Sequence, residues 1–284
     1  MELNIYAEGP GFRENSDLKS ILDLLNGYEV TFSYCLKKSS ITHDVVAGAP
    51  HPKLKLTTVE PGSINISLVT DIAASIAPLA PSIFGYAWQL YKSAYDLITI
   101  ATRYFKNTGK PMTININNSP GTVVNVVNGD QVTTSRDVFD AAVSIHPFLD
   151  KIAKLVKTRK ADRVVMRANR PDLQQQVQFD RTNQDSFQLP SANIIEEDPV
   201  EFECNIYRFN KKSLKGVLEF YDEDEVQIRP FMTGRDLLDD CMEAFKAPRA
   251  NVIAHKEVTT NALGETKIKK FHLVAITPTG ESDE

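Results

Sequence analysis

The chain contains 284 residues, of which 42% are hydrophobic and 24% are charged, and its formal net charge is −5 at pH 7. This length predicts roughly two domains, and the composition is typical of a globular protein with a sizeable core. The charges are spread along the chain without a basic block, which disfavours binding to nucleic acid or to an anionic membrane through bulk electrostatics.

The three cysteines, Cys35, Cys204 and Cys241, lie far apart and form no CxxC pair. Buried thiols in a reducing compartment fit this spacing better than a disulfide framework or a zinc site. The first residues lack the basic and apolar regions of a secretory signal. We therefore expect a cytoplasmic protein of bacterial or phage origin.

Residues 1–70 are predicted to form a small α/β cap. Residues 3–7 alternate like a first strand, and a helix capped by Ser16 or Asp17 should follow, with Gly27 as its stop. Further elements of the cap are strands at 28–35, 54–59 and 63–68 and an exposed loop between residues 43 and 51.

Residues 72–91 carry no charge, and the run is long enough to span a bilayer. Its prolines predict instead a short helix that ends near Pro78 and a second helix that is entered at Pro81. The second helix carries an apolar stripe at helical spacing, which includes Phe84, Trp88 and Tyr91. Two interpretations stay open, a buried helix or helix interface and a segment that inserts into a membrane.

Residues 112–133 are predicted to form a β-meander with turns at Pro120-Gly121 and Asn128-Gly129. One face is Ile and Val and much of the other is Asn, so the charges that normally protect a sheet edge are missing. The meander could extend the sheet of its own chain, or copies from several subunits could pair edge to edge. In the second case the predicted oligomer interface comprises Ile114, Ile116, Asn117, Val124, Asn125 and Val126, together with Phe84, Trp88 and Tyr91.

An amphipathic helix is predicted at 135–158, with Thr134 or Ser135 as its cap and a bend or break at Pro147 near Ile145. The following residues, 161–198, are polar and rich in Gln and Asn. This composition predicts a linker with short strands at 164–166 and 177–179, and a domain boundary inside it.

Residues 199–284 predict a β-rich module. Its elements are strands at 200–209, 214–221 and 225–231, a helix at 236–245, and strands at 252–259 and 268–276. The order β-β-β-α-β-β resembles the OB-fold, a small five-stranded barrel. OB-folds often bind single strands through exposed aromatic side chains, so the resemblance implies partner-binding candidates at Tyr207, Phe209, Phe220, Tyr221 and Phe231. The alternative interpretation is that such rings form the core of the barrel. Because acidic residues outnumber basic ones here, a protein partner is favoured over a nucleic acid strand.

The chain lacks the common sequence signatures of catalysis. There is no GxxxxGK[ST] loop, no HExxH, no GxSxG and no Cys/His pair at metal spacing. His255 and His272 could face each other across the last two strands, an arrangement that is usually structural. We therefore predict a protein that is not an enzyme, with no catalytic residue, no metal and no cofactor.

These patterns predict an α+β protein with an oligomerisation domain at 1–160, a polar linker at 161–198 and an OB-like barrel at 199–284. The oligomerisation domain would contain the cap, apolar helices at 71–106, the meander and the amphipathic helix. The favoured function is a self-associating interaction or scaffold protein that binds a protein partner, in a setting such as bacterial–phage conflict. The alternatives are a membrane-active effector that inserts residues 72–91 and a binder of single-stranded nucleic acid through the OB-like module.

Overall fold

The computed structural model describes residues 2–12, 18–43, 51–60, 63–71, 79–127, 129–168, 176–222 and 225–279. The chain divides into two compact units, Met1–Pro190 (the N-terminal unit) and Ser191–Glu284 (the C-terminal unit). The division falls inside the polar segment 161–198. The architecture is α+β with a C-terminal barrel, as predicted. The loop predicted after residue 43 and the short helix predicted before Pro78 lie outside the described residues.

The N-terminal unit combines sheets and helices. Its elements in chain order are β1 (Glu2–Glu8), α1 (Leu18–Thr42), β2 (His51–Glu60), β3 (Ser63–Asp71), α2 (Ala80–Thr108), β4 (Thr113–Asn117), β5 (Val124–Val127), β6 (Gln131–Ser135), α3 (Arg136–Lys157), β7 (Arg163–Ala168) and β8 (Gln176–Asp180).

Five of these strands form an antiparallel sheet in the order β2-β3-β1-β7-β8. Successive side chains of a strand point to opposite faces, and one face of this sheet is apolar. Its fully buried residues include Leu3, Ile5, Ile66, Met166 and Phe179. The helices α1, α2 and α3 pack on one another, α1 contacts β2, and α3 contacts β7 and β8. The sheet therefore has a covered apolar face and an open polar face.

The described parts of the segment 161–198 contain more regular secondary structure than its composition suggested. The strands β7 and β8 lie within it, close to the predicted short strands, and β7 pairs with β1 along six residues. The polar side chains Gln176 and Gln178 alternate with the buried Val177 and Phe179. The Gln-rich composition thus reflects the open face of a sheet strand.

Helix α1 corrects the prediction of a stop at Gly27 and a strand at 28–35. The helix continues through Gly27 to Thr42. A Cβ at Gly27 would lie 2.9 Å from Cγ1 of Ile152, so this glycine permits close contact with α3. The buried residues Tyr28, Phe32 and Leu36 recur every four positions, which is the helical period that the strand prediction overlooked.

Helix α2 begins at Ala80 with Pro81 in its first turn, as predicted. Its apolar stripe is buried within the chain, with Phe84 and Trp88 each 1% exposed and Tyr91 fully covered. Within the described residues, no helix has both the length and the apolar character needed to cross a membrane.

Helix α3 begins at the predicted cap, because Ser135 Oγ accepts a hydrogen bond from the backbone N–H of Val138. The predicted break at Pro147 is absent, and the helix is continuous from Arg136 to Lys157. A proline at this position removes the N–H that would bond to the carbonyl of Val143. His146 Nδ1 lies 3.3 Å from that carbonyl oxygen and replaces the missing donor.

The strands of the predicted meander form a separate three-stranded sheet, but their connectivity differs from that of a meander. The order is β4-β6-β5, with β4 parallel and β5 antiparallel to β6. The Pro120-Gly121 segment does not close a hairpin, and side chains from α2 and from the end of β6 bind the carbonyls of Gly121 and Thr122. Ser135 Oγ donates to the Gly121 oxygen, and Ser93 Oγ donates to the Thr122 oxygen. The interpretation in which this segment extends the larger sheet of its own chain is wrong for the described residues.

The C-terminal unit is a small barrel with one helix. Its elements in chain order are β9 (Ser191–Ile195), β10 (Val200–Asn210), β11 (Lys215–Asp222), β12 (Glu225–Met232), α4 (Leu238–Ala244), β13 (Arg249–Asn261) and β14 (Thr266–Thr279). The barrel order is β10-β11-β12-β14-β13, and pairing of β10 with β13 closes it. All pairs are antiparallel except β12 with β14, which is parallel. Strand β9, which the sequence did not predict, pairs with β13 outside the barrel.

The barrel interior is packed by aromatic and aliphatic side chains from all five strands, and Cys241 and Ala244 of α4 join the same core. Gly216 is required in β11. A Cβ at this position would lie 2.3 Å from Cε1 of Phe231 and 2.4 Å from the backbone oxygen of Arg208. The absence of a side chain at Gly216 therefore leaves the space that the ring of Phe231, on the neighbouring strand β12, occupies.

Substitution of Gly216 should test this packing. Gly216→Ala is expected to lower the free energy of unfolding by about 1–3 kcal/mol, because a buried ring and a backbone strand must both move. Gly85→Ala in α2, where no atom lies within 4 Å of the added Cβ, should raise it by up to about 1 kcal/mol through helix propensity. Urea unfolding of both variants measures the difference; equal stability of Gly216→Ala and the unaltered chain would show that Phe231 has spare room.

Candidate interaction surface

The predicted aromatic candidates divide into core and surface. Phe220 and Phe231 are 7% and 2% exposed, and Phe209 is half-buried. Their rings pack inside the barrel, with centroids 5.4 Å apart for Phe220 and Phe271 and 5.9 Å apart for Phe209 and Phe231. Phe220 and Phe231 are therefore corrected from partner-binding candidates to core residues, because their own chain covers them, and Phe209 is a partly buried residue that packs against that core.

Tyr207 and Tyr221 lie on the outside of the barrel, with exposed fractions of 67% and 68%. Tyr221 is the cross-strand partner of Val226, and Ile228 is opposite Glu219. Val226 and Ile228 are half exposed and stand on the same face because they are two residues apart. We name Tyr221, Val226 and Ile228 the outer patch.

Val226 and Ile228 were missed at the level of sequence. Strand β12 carries apolar side chains at Val226, Ile228 and Phe231, and a single strand cannot show which of them face the core. The inward position of Phe231 decides it, because residues an odd number of positions away point to the opposite face. A choice of candidates by aromatic residue type alone therefore included Phe231, which faces the core, and omitted Val226 and Ile228, which face outward.

A groove of about 190 Å³ borders the outer patch, and its polar lining is mainly acidic. Glu203 and Glu219 contribute carboxylates, and Asn205 and Tyr221 contribute neutral polar groups. Arg249 Nη1 lies 2.7 Å from Glu203 Oε2, so one carboxylate is neutralised. Within the described part of the chain, Glu219 has no ion pair. The groove therefore combines an exposed aromatic ring with an uncompensated negative charge.

The C-terminal unit as a whole also carries a net negative charge. Residues 191–284 contain 19 acidic and 12 basic residues, a difference of −7. An acidic surface attracts a cationic partner and repels the phosphates of a nucleic acid. The outer patch thus suits a protein that presents apolar and basic side chains.

A second groove, of about 390 Å³, lies beside the connection between β10 and β11. Its lining includes Phe209, Lys211, Lys212, Met242 and Phe245. Phe245 is 43% exposed. Lysines beside an accessible aromatic ring can bind the phosphates and bases of a single strand, and the first loop of an OB-fold is one of its ligand-binding elements.

A charged cluster joins the last two strands. Glu257 is buried and accepts from His272 Nε2 at 2.8 Å, while Lys270 Nζ and Lys269 Nζ lie 2.9 and 3.1 Å from its oxygens. The hydrogen bond from His272 and those from the two lysines lower the pKa of Glu257 to about 2. These contacts hold β13 against β14.

The predicted pairing of two histidines is confirmed in register, since His255 is opposite His272. Their rings bind different groups, because His255 Nδ1 lies 3.0 Å from the backbone oxygen of Glu196 and His272 bonds to Glu257. Among the residues that the structure describes, no three His, Cys, Asp or Glu side chains are placed to hold a metal ion.

All three cysteines are buried free thiols. Burial raises the pKa of Cys35 far above its ordinary value and that of Cys204 to about 12. A thiol with a raised pKa is a poor nucleophile at neutral pH. These side chains pack as small hydrophobic groups.

The predicted oligomer interface also divides into buried and exposed residues. Phe84, Trp88 and Tyr91 are corrected, because the helices of their own chain cover them and leave no surface for another subunit. The remaining six residues lie on the small sheet. Asn117, Asn125 and Val126 are exposed, and Ile114, Ile116 and Val124 are half-buried. Both β4 and β5 are edge strands of that sheet.

Comparison of this chain with protein families, with curated proteins and with solved structures found no match. Only the chain's own geometry and chemistry bear on its function.

Glu257 should make the stability of the folded chain depend on pH in the acidic range. Its folded pKa of about 2 lies below the ordinary 4.5, so its stabilising contribution is present above pH 4.5 and is lost as the pH falls toward 2. Glu257→Gln should therefore lower the melting temperature at pH 6 but much less at pH 2.5. Lys267→Gln, at an exposed position of the same hairpin, is the control and should change the melting temperature by the same small amount at both pH values. An equal effect of Glu257→Gln at both pH values would contradict the ionic role.

Proposed function

We propose that this chain is a non-enzymatic interaction protein that binds a basic protein partner at the outer patch of its barrel. The observation that carries the proposal is the exposed set Tyr221, Val226 and Ile228 beside the carboxylate of Glu219. Exposed apolar side chains on a sheet, bordered by polar groups, are typical of protein interfaces. Tyrosine supplies a large contact area at a low cost in conformational entropy.

Charge separates this proposal from nucleic acid binding at the same face. A nucleic acid strand requires cations along its path, whereas the one described cation of this groove, Arg249, is paired with Glu203, and Glu219 adds a negative charge. A partner with a lysine or arginine side chain would instead pair with Glu219, because Arg249 already neutralises Glu203. The favoured occupant is therefore a protein segment with alternating apolar and basic residues.

Single-stranded nucleic acid is the second candidate, and one feature favours it. The groove of Phe209, Lys211, Lys212 and Phe245 has both cations and an accessible ring. This groove carries less positive charge than the sites of most strand-binding proteins. In addition, four carboxylates lie on or beside the short helix α4, namely those of Asp236, Asp239, Asp240 and Glu243. A protein partner at the outer patch remains the better supported function.

We further propose that the chain self-associates through its small sheet. Strands β4 and β5 both lie at an edge and contain no charged residue. Natural proteins usually protect such edges with charges, so two unprotected edges on one sheet favour pairing between copies. Asn117 Oδ1 and Asn118 Oδ1 already accept bonds from Ser119 and Arg136, which leaves Asn125 as the better candidate for a contact between subunits.

A cytoplasmic location is part of the same proposal, and the three free thiols support a reducing compartment. Membrane insertion is not favoured, because the apolar stripe of α2 already packs in the core of the N-terminal unit. A role in bacterial–phage conflict stays a prediction from the sequence.

A photo-cross-linking amino acid placed in the outer patch should capture the partner protein. With p-benzoylphenylalanine in place of Ile228, cells that naturally express the chain should yield one discrete adduct that protease digests and nuclease does not. The same probe in place of Val274, which is similarly exposed on β14, should yield none. The partner, identified by mass spectrometry, should then bind the purified chain more weakly at high salt and at least tenfold more weakly to Glu219→Lys.

The two candidate functions give different results in that experiment. Equal labelling from positions 228 and 274, or a partner that is insensitive to Glu219→Lys, would contradict the proposed surface. A nuclease-sensitive adduct from a probe in place of Lys212 would support the second candidate.

Self-association should depend on the edge of β5. Val126 is 53% exposed, and Val126→Lys places a charge on this edge that disfavours pairing with another strand. Light scattering coupled to size exclusion should show a multiple of the 31.7 kDa chain for the unaltered protein and a single chain for the variant. Ile41→Lys adds the same charge to an equally exposed position of α1 and should leave the mass unchanged. A monomeric unaltered chain, or an unchanged mass for Val126→Lys, would argue against the shared sheet.

A further inference from the structure

The open face of the five-stranded sheet contains a pocket of about 460 Å³. Its lining includes Asn4, Tyr6, Asn65, Arg163, Val165 and Arg167. A volume in this range, with an apolar floor and a few polar groups around it, is typical of sites for small ligands. The pocket lies wholly in the N-terminal unit and is independent of the function proposed for the barrel.

The strand register builds this pocket. On β1 and β7 the opposed pairs are Asn4 with Arg167 and Tyr6 with Val165. Asn65 of β3 is opposite Tyr6 on the other side. Val165 is 2% exposed and forms the floor, while the half-buried ring of Tyr6 stands beside it. Arg163 and Arg167 are four residues apart on one strand, which separates their Cα atoms by about 13 Å.

The arginine at one end is already neutralised. Arg163 Nε lies 3.1 Å from Glu8 Oε1, in a charge contact without the alignment of a hydrogen bond. The other oxygen of Glu8 accepts from the hydroxyl of Tyr6 at 2.9 Å. This end of the pocket is therefore a hydrogen-bonding group with no net charge.

The arginine at the other end keeps its charge. Arg167 Nε donates to the amide oxygen of Gln176 at 2.8 Å, and among the described residues no carboxylate pairs with Arg167. The Gln176 amide donates in turn to Gln178, which donates to Asp180 at 2.6 Å. This chain of bonds along β8 orients the exposed guanidinium without neutralising it. Such an oriented arginine suits bidentate binding of a phosphate group.

We propose that this pocket binds a mononucleotide, with the phosphate at Arg167 and the planar base over Val165 and Tyr6. The apolar part of the lining fits a flat ring, and the Arg163 guanidinium, which lies 6.0 Å from the centroid of the Tyr6 ring, offers N–H donors to acceptors at the edge of a base. A longer nucleic acid is disfavoured, because Glu8 neutralises Arg163 and leaves Arg167 as a single cation in the described pocket lining, whereas a polyanion needs several uncompensated cations.

Isothermal titration of the full-length chain with the four ribonucleoside 5′-monophosphates tests the proposal. At least one should bind saturably. Arg167→Gln should weaken its binding about 10- to 100-fold, the loss expected for a charge-assisted contact to phosphate. Arg167 is exposed, so the variant should keep the thermal stability of the unaltered chain. Arg181→Gln is the matched control, because Arg181 is an exposed arginine that follows β8, pairs with Asp162 and lies outside the pocket lining. This variant should bind the mononucleotide as tightly as the unaltered chain does.

Three results would overturn the inference. The first is no saturable binding of any monophosphate, and the second is equal weakening by Arg181→Gln and Arg167→Gln. The third is inorganic phosphate or a single-stranded oligonucleotide that binds as tightly as the best mononucleotide, which would remove the role of the base or of the enclosed pocket. The corresponding nucleoside without phosphate should bind much more weakly than its monophosphate.

Discussion

Alternation of side chains along the strands is the constraint on which both units depend. Each strand can bury only every second side chain against its core, so the remaining half must face outward. In the N-terminal unit the inward half of β1 is Leu3, Ile5 and Ala7, and the outward half is Asn4, Tyr6 and Glu8. In the barrel the same alternation buries Leu218 and Phe220 and leaves Glu219 and Tyr221 outside. The surfaces proposed to bind ligands are the outward halves of strands whose inward halves make the fold.

The outward-facing side chains of the strands differ in character between the two units. The open face of the N-terminal sheet is organised by hydrogen bonds between side chains, such as the series from Arg167 through Gln176 to Asp180. The outer face of the barrel has exposed aliphatic side chains beside Tyr221 and carries an acidic excess. A preorganised polar face suits a small ligand that needs fixed donors, whereas an apolar patch with acidic borders suits a protein surface.

Local sequence signals predicted the elements whose ends depend on nearby residues. The cap at Ser135, the entry of α2 at Pro81 and the order β-β-β-α-β-β of the barrel elements along the chain all follow from such signals. The failures occurred where a distant contact decides the conformation. Gly27 stays helical because it fits against Ile152, Pro147 is tolerated because His146 bonds to the orphaned carbonyl, and Pro120-Gly121 is held by Ser93 and Ser135. For the candidate site, residue type identified Tyr207 and Tyr221, but only the inward or outward direction of each strand separated Val226 and Ile228 from Phe231.

The parallel junction of the barrel has a consequence for how a partner would act on it. Strands β12 and β14 are joined through only two opposed pairs, Phe231 with Phe271 and Met232 with His272, whereas β13 and β14 pair along most of their length. This junction is therefore the seam at which the barrel would open most readily, and its opening would expose two buried rings. Because Val226 and Ile228 belong to β12, a partner that binds them only in the closed barrel would disfavour opening of the seam. Recognition and resistance of the barrel to local unfolding would then be thermodynamically linked through one strand.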